Sequence, residues 1–460
     1  MKIKKKVHQF YGRGSHSHFR LRYCIAILSV LVLSFTVVQS GISDDNFEYH
    51  GFFRAGAANN GSGGDQEVFK APGAAKAYRL GNENNQYGEM VLVKNWQNPK
   101  GDSAFFKNQF KFGFGTDQNS YYDETWLNVV EAYVQAGNFN GSSTKFWVGD
   151  RGYRRPDIHI LDFNFLDMGG YGGGVEDIDI GFGKLAVAYF VGSSDDVVLE
   201  DVGRVALNTF DISVSDFNVP GGKGAIHISP SSSKGGKKIF SYELEDETEK
   251  TKEYDFEDTS GVGVTFIHTR DGFFGGSSTL TLQYGQGSGC SFSPGLGFTT
   301  TDEFEDTEEE FETTILEDIN DSSIMRVTHQ SVIQPNESLS MMTSFLYEAK
   351  DSGADENPGA TWISLGLRPV FRLSEYYALA IEASIDQTDN ESDDMAGQLM
   401  KFTVAPQVRV PGGFFARPSI RFFVTYATWS DDFKGQIATD TYGEEDTSGL
   451  TYGFQVESWW

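Results

Sequence analysis

The chain has 460 residues with 37 basic and 65 acidic side chains, a formal net charge of −28, and a mean hydropathy of −0.36 despite 38 Phe, 20 Tyr and 7 Trp. Charge of that sign repels a polyanion, so nucleic acid is excluded as a partner. Only one of the two cysteines, Cys290, lies outside the first forty residues, so an exported form has no pair for an intrachain disulfide and must be held by a large sheet or core.

In chain order, residues 1–40 read as a secretory signal. Lys2, Lys4, Lys5, Lys6, Arg13, Arg20 and Arg22 form a basic leader without acids; an apolar run spans 24–38, and Ser40 is a small residue at a plausible cleavage point. The run is too short for a membrane span. Cys24 precedes it, which argues against a lipid anchor; an N-terminal anchor helix and a start codon further in stay open. Loss of the seven basic residues takes the formal charge to −35. Residues 41–460 are then expected to form a single domain.

Beyond the leader no apolar stretch is long enough for a spanning helix, so a membrane crossing must use strands. The side-chain period is two. Phe110, Phe112 and Phe114 alternate with Gln109, Lys111 and Gly113 within 106–114, and 129–135 and 144–151 alternate less cleanly. Within 421–429, Phe422, Val424 and Tyr426 alternate with Arg421, Phe423 and Thr425. Within 450–460, Leu450, Tyr452, Phe454 and Val456 alternate with Thr451, Gln455, Glu457 and Trp459. Alternation over about ten residues, one face greasy and one wet, is the pattern of a transmembrane strand. If Leu450, Tyr452 and Phe454 face lipid, Trp459 shares the inward parity of Glu457. In the same way His50, Phe52 and Arg54 share a wet face opposite Tyr49 and Phe53.

Between these segments Pro220-Gly221-Gly222 and Gly412-Gly413 read as tight turns, and the acidic tracts 243–258 and 302–318 as external loops. No linker divides the chain. The five histidines outside the leader (His50, His159, His227, His268 and His329) are scattered without ligand spacing, so no metal site is indicated. Neither a nucleophile elbow nor a phosphate-binding loop is present; Gly61 to Asp65 lacks the lysine and helix of one. An enzyme and a cofactor are therefore not expected.

Several stretches resemble the maltoporin family: 48–56, 61–65, 78–83, 147–162 (running through Arg154, Arg155, Pro156 and Asp157), 176–185, 417–427 and the terminal Trp459-Trp460. The resemblance implies an all-β fold, a transmembrane antiparallel β-barrel of about eighteen strands with an inward-folded constriction loop. It further implies a homotrimer among outer-membrane lipid of a Gram-negative bacterium, which passes maltose and maltodextrins by facilitated diffusion. Pyranose rings would stack on a slide of aromatics and hydrogen-bond to a track of charges.

Carried over by position, the slide contains Phe52, Tyr87, Tyr121 (with Tyr122 as the rival by one step) and Trp459. The ionic track contains Arg54, Arg79, Glu89, Arg155, Asp157 and Asp162, and the constriction Arg155 and Asn164. Departures are Asn164 for a constriction tyrosine, Val130 for a track arginine, and Leu373 (with Tyr376 nearby) for a slide tryptophan. A further slide phenylalanine falls near Val264, and Val68 and Asn84 replace the cysteines of a loop disulfide. These departures keep a broader glycoporin for sucrose and mixed oligosaccharides open, as well as a surface receptor or adhesin that uses the acidic loops.

Overall fold

Alternate residues of a strand point to opposite faces, and in this protein that period runs through eighteen strands of one sheet. The computed structural model describes residues 46–460 apart from 97, 99–100, 118–124, 194–205, 235, 244–248, 257, 295–319, 354–358 and 440. The signal-peptide reading and Tyr121 and Tyr122 lie outside the described residues. The chain divides into Met1–Glu48, described only over 46–48, and Tyr49–Trp460.

The strands are β1 (Phe47–Asn60), β2 (Asn85–Trp96), β3 (Phe105–Asp117), β4 (Trp126–Gly137), β5 (Lys145–Arg151), β6 (Asp157–Ile158), β7 (Phe163–Asn164), β8 (Gly170–Asp179), β9 (Lys184–Ser193), β10 (Ala206–Val219) and β11 (Gly222–Ser233). They continue with β12 (Gly236–Glu243), β13 (Glu249–Phe256), β14 (Thr259–Phe273), β15 (Gly276–Gly287), β16 (Ser323–Asn336), β17 (Leu339–Asp351), β18 (Gly359–Arg372), β19 (Tyr377–Asn390), β20 (Met395–Arg409), β21 (Ser419–Trp429) and β22 (Ser448–Trp459). β6–β7 and β12–β13 are separate hairpins; the other strands each pair with the next. β22 returns to pair antiparallel with β1, so the sheet closes into a barrel without a free edge.

The outer face is apolar where the sequence alternates. Phe106, Phe110 and Phe114 on β3, Phe422, Val424 and Tyr426 on β21, and Leu450, Tyr452 and Phe454 on β22 are all exposed. A lysine or arginine at such a position would cost about 2–4 kcal/mol at the bilayer midplane. The inner face is polar: Arg421 and Thr425 on β21 and Thr451, Gln455 and Glu457 on β22 are buried.

Connections at one end are short. Pro220 and Gly221 turn β10 into β11, with Gly221 at φ +81°, where a side chain on Cβ would be strained. Gly412-Gly413, expected as a tight turn, instead belongs to a longer connection, 410–418, flanked by Pro411 and Pro418. Neither proline can donate to a ladder, so pairing stops at Arg409 and resumes at Ser419. The tract 243–258, expected as a loop, carries β13; 302–318 lies outside the described residues.

At the other end two long connections fold into the barrel, and the apolar core sits there rather than in the wall. Residues 61–84 bring in Phe69, Tyr78 and Leu80; residues 152–169 bring in Tyr153, Ile158, Ile160, Leu161, Phe163, Phe165 and Met168, all buried. The amide of Arg79 donates to the carbonyl of Ile160 at 3.1 Å, so the two segments pair with each other.

Candidate lumenal site

The expected constriction loop is present: 152–169 leaves β5 and is tied to the opposite wall. Gln283 donates to the Phe165 carbonyl and Gln330 to the Asp157 carbonyl, each at 2.7 Å. Asn164 is exposed on the small hairpin, paired with Asp157. Asp162 stands at φ +55°, a left-handed turn that an aspartate tolerates better than most residues.

Three of the four expected slide residues are described, and they form a line. Trp459 stacks on Phe52 (6.3 Å between ring centroids, 23°), and Phe52 lies 5.9 Å from Tyr87. The register accounts for the first contact, because Phe52 is the direct partner of Trp459 across the β1–β22 seam. The line continues to Trp126, 5.9 Å beyond Tyr87 and 41% exposed.

Sequence reading missed Trp126 because β4 carries a bulge. Lys111 pairs with Glu131 but Phe112 pairs with Val129, so Val130 is the extra residue and the parity of 126–129 flips. Val130, where a track arginine was expected, is therefore the bulge itself. The glycines opposite make room: a Cβ on Gly115 would lie 2.8 Å from the Trp126 indole nitrogen. That pair, Gly115 facing an aromatic, was the available signal.

The remaining slide positions are not supplied by their counterparts. Val264 points outward, paired with the exposed Tyr284 and Ile228. Leu373 and Tyr376 sit in the exposed turn between β18 and β19 and make no ring contact with the line.

The charged residues flank the rings. Arg54 pairs with Glu83 and holds Asn85 Oδ1 at 2.8 Å, with its Cζ 5.7 Å from the Tyr87 ring centre. Arg79 binds Glu83 at 2.7 Å and Glu457 at 3.2 Å, and Asp162 stands about 4 Å from both Arg54 and Arg79. Burial opposes charge on Arg79, but Glu83 and Glu457 outweigh it and hold the guanidinium above its ordinary range. Glu457 also takes Arg417 and Arg421, each at 2.6 Å.

Glu89 accepts from the Tyr87 hydroxyl at 2.6 Å and lies 3.6 Å from Lys111, which pairs with Glu131 at 2.7 Å. Arg155 stands apart from the Arg54–Arg79 network, pairing with Asp167 at 2.6 Å, and the Asp157 carboxylate is half exposed. Glu83, Lys111, Glu131, Arg417 and Glu457 were not singled out from the sequence as track residues. Glu457 was nevertheless visible as inward by parity, and Glu83 lies inside a quoted family stretch.

A closed strand barrel with a greasy outer wall, a polar lumen and two inward segments defines a passive outer-membrane channel rather than an enzyme. Residues 47–460 match the family described as LamB porin, and the chain belongs to that family, the maltoporins. It is a Gram-negative outer-membrane channel for sugars or similar solutes.

Among solved structures the chain is similar to outer-membrane expressed OmpT of Vibrio cholerae, with 9% identity, a TM-score of 0.39, and coverage of 90% of this chain and 97% of that one. It is also similar to OccAB2 of Acinetobacter baumannii, with 8% identity, a TM-score of 0.45, and coverage of 92% and 100%. OccK10 (OpdN) of Pseudomonas aeruginosa gives 10% identity, a TM-score of 0.44, and coverage of 90% and 99%. Similarity at this level says nothing about the solute.

Proposed function

We propose that the channel passes maltose and linear maltodextrins by facilitated diffusion, as a homotrimer, after cleavage of the leader near Ser40. The observation that carries this reading is the unbroken line Trp459–Phe52–Tyr87–Trp126 beside the Arg54, Arg79, Glu83 and Glu457 cluster. A glucan chain presents apolar ring faces to such a line and hydroxyls to such charges. Each contact is weak, so the chain can be handed from ring to ring and released. Arg155, Asp157 and Asn164 would bound the narrow part from the inward loop, and Tyr121 would add a ring from the β3–β4 connection.

A broader glycoporin is the second reading, supported by the short, exposed Asn164 side chain where the family carries a tyrosine. A receptor or adhesin would instead draw on the acidic tracts. Sugar block of single-channel current separates these. Maltohexaose should block at far lower concentration than sucrose; equal block would favour the glycoporin, and no block by either would overturn both sugar readings. Unboiled gels should show a heat-dissociable trimer, and intact mass a start close to Gly41.

A further inference from the structure

Along the inner wall from β16 to β22 cations come with carboxylates. Arg326 pairs with Glu348, Arg368 and Lys401 share Glu382 at 2.6 and 2.8 Å, and Arg417 and Arg421 share Glu457 at 2.6 Å each. Two arginines at the end with short connections break this pattern. Arg372 closes β18 and Arg409 closes β20, on the inward parity of Arg368 and Lys401. Among the described residues neither pairs with a carboxylate.

Arg409 is the sharper case, because it is only 8% exposed. Its guanidinium donates to the Gly413 carbonyl, and the charged groups that act on it are Arg421 and Arg372, both of its own sign. Glu457 answers the charge of Arg421, which leaves Arg372 and Arg409 facing each other uncompensated. A buried cation among like charges is unfavourable until an anion joins it, and one carbonyl oxygen does not neutralise a guanidinium.

Both arginines line one cleft, together with Gln334, Ser338, Ser340 and Ser374. The register shows why there is room. β19 runs between β18 and β20, and it places the small, buried Ala378 between Arg372 on one side and Gln407 on the other. The walls are tied: the Arg372 amide donates to the Ser338 carbonyl at 2.8 Å, the Arg409 amide to the Tyr376 carbonyl at 2.9 Å and the Ser374 amide to the Tyr377 carbonyl at 3.1 Å. Glu337 and Glu375 also line the cleft, but both are exposed on the turns, where water solvates them, and neither pairs with an arginine. We propose that this cleft is an oxyanion site at the mouth with short connections, which takes a phosphate group, with Arg372 and Arg409 as its charged ligands and Ser340 as a hydroxyl donor. Guanidiniums hold phosphate through forked, charge-assisted hydrogen bonds. None of the lining residues belongs to the ring line or to the charges beside it, so the site does not depend on which neutral sugar passes.

The test is block of single-channel current at constant ionic strength near pH 8, where phosphate is mainly dianionic. The probes are inorganic phosphate, glucose 6-phosphate and glucose. Both phosphates should block, and glucose far less. Stronger block by glucose 6-phosphate would assign the site to sugar phosphates, and equal block to the free ion. Arg372→Gln and Arg409→Gln should each weaken phosphate block about ten- to a hundredfold, the range of one charge-assisted partner, and Arg409→Lys by less.

Removing charge from a pore mouth alters ion flow whether or not a site exists, so thermal unfolding in detergent is the second readout. Phosphate should raise the unfolding temperature of the wild-type barrel and leave that of the Arg372→Gln, Arg409→Gln double variant unmoved. Without phosphate the double variant should be at least as stable as the wild type, since two unpaired like charges leave the wall. Absence of phosphate block in the wild type, or block and stabilisation that persist undiminished in the double variant, would overturn the site.

Discussion

Two sides of the lumen wall look alike in sequence and behave differently in the fold. On β22, β1, β2 and β4 the rings Trp459, Phe52, Tyr87 and Trp126 form a line, beside charges that segment 61–84 partly supplies. On β17 to β21 the inward residues meet the protein's own segment 61–84. Glu382 takes Arg368 at 2.6 Å and Lys401 at 2.8 Å and accepts the Leu80 amide at 3.1 Å, while Lys401 donates to the Leu80 carbonyl at 3.1 Å. Tyr78 bridges Ser344 and Ser364 at 3.0 and 2.9 Å, and Thr425 donates to the Gly81 carbonyl at 3.0 Å. An inward polar residue in a barrel is therefore not by itself a pore residue. Five of the eighteen strands, β17 to β21, carry inward residues committed to the chain's own segment 61–84, which occupies that side of the lumen.

The largest expected effect comes from breaking the occupied side. Glu382→Ala strands Arg368 and Lys401 without their carboxylate, a loss of about 3–5 kcal/mol for a buried pair. Segment 61–84 should then become a site of limited proteolysis, and single-channel conductance should rise. A variant with wild-type conductance and an uncut segment would show that Glu382 does not hold it.

On the side of the rings the effects are smaller. Trp459→Ala removes one stacked ring and should weaken maltodextrin block about fivefold, near 1 kcal/mol, while ion conductance stays similar or rises slightly. Unchanged block would remove Trp459 from the solute path. Trp126→Ala should behave like Trp459→Ala if the line is continuous, and have no effect if Trp126 only fills space against Gly115.

Asn164 belongs to neither side but to the hairpin of the inward loop. Asn164→Tyr should lower ion conductance, slow sucrose in liposome swelling and strengthen block by linear maltodextrins, all together, because one added ring causes all three. The smallest effect is a null one: His159, 6.0 Å from the Trp459 ring, has its pKa pushed well below the usual value by burial and then by the nearby Arg79. Sugar block should therefore be flat between about pH 6 and pH 8, near and above the unperturbed histidine value. A step in that interval would mean that another group titrates in the path.

What was legible in the sequence follows the same division. Strands with an unbroken period of two, such as β21, β22 and β3, could be read with the correct faces, and with them Phe52, Arg54 and Trp459, because parity alone assigns those residues. Trp126 could not be read, since the bulge at Val130 shifts parity within a single strand. The slide position near Val264 failed for the related reason that one step of register turns a lumen residue outward. Within segment 61–84, residues 61–65 and 78–83 were readable as family stretches but not as part of an inward plug, because the partners Glu382 and Lys401 are some three hundred residues away in sequence. Burial of that kind is a property of the closed barrel and leaves no local trace.

The seam between β1 and β22 sets the order of events in assembly. Phe52 pairs with Trp459, and the Gly51 and Trp460 backbones exchange hydrogen bonds at 3.1 and 3.2 Å. The first strand to leave the ribosome thus waits for the last, about four hundred residues behind it, before its outer edge is satisfied. Contacts at that separation form late. An unclosed intermediate would expose two edges able to add a foreign strand, so closure of this seam is what ends the chain's exposure to edge-to-edge aggregation.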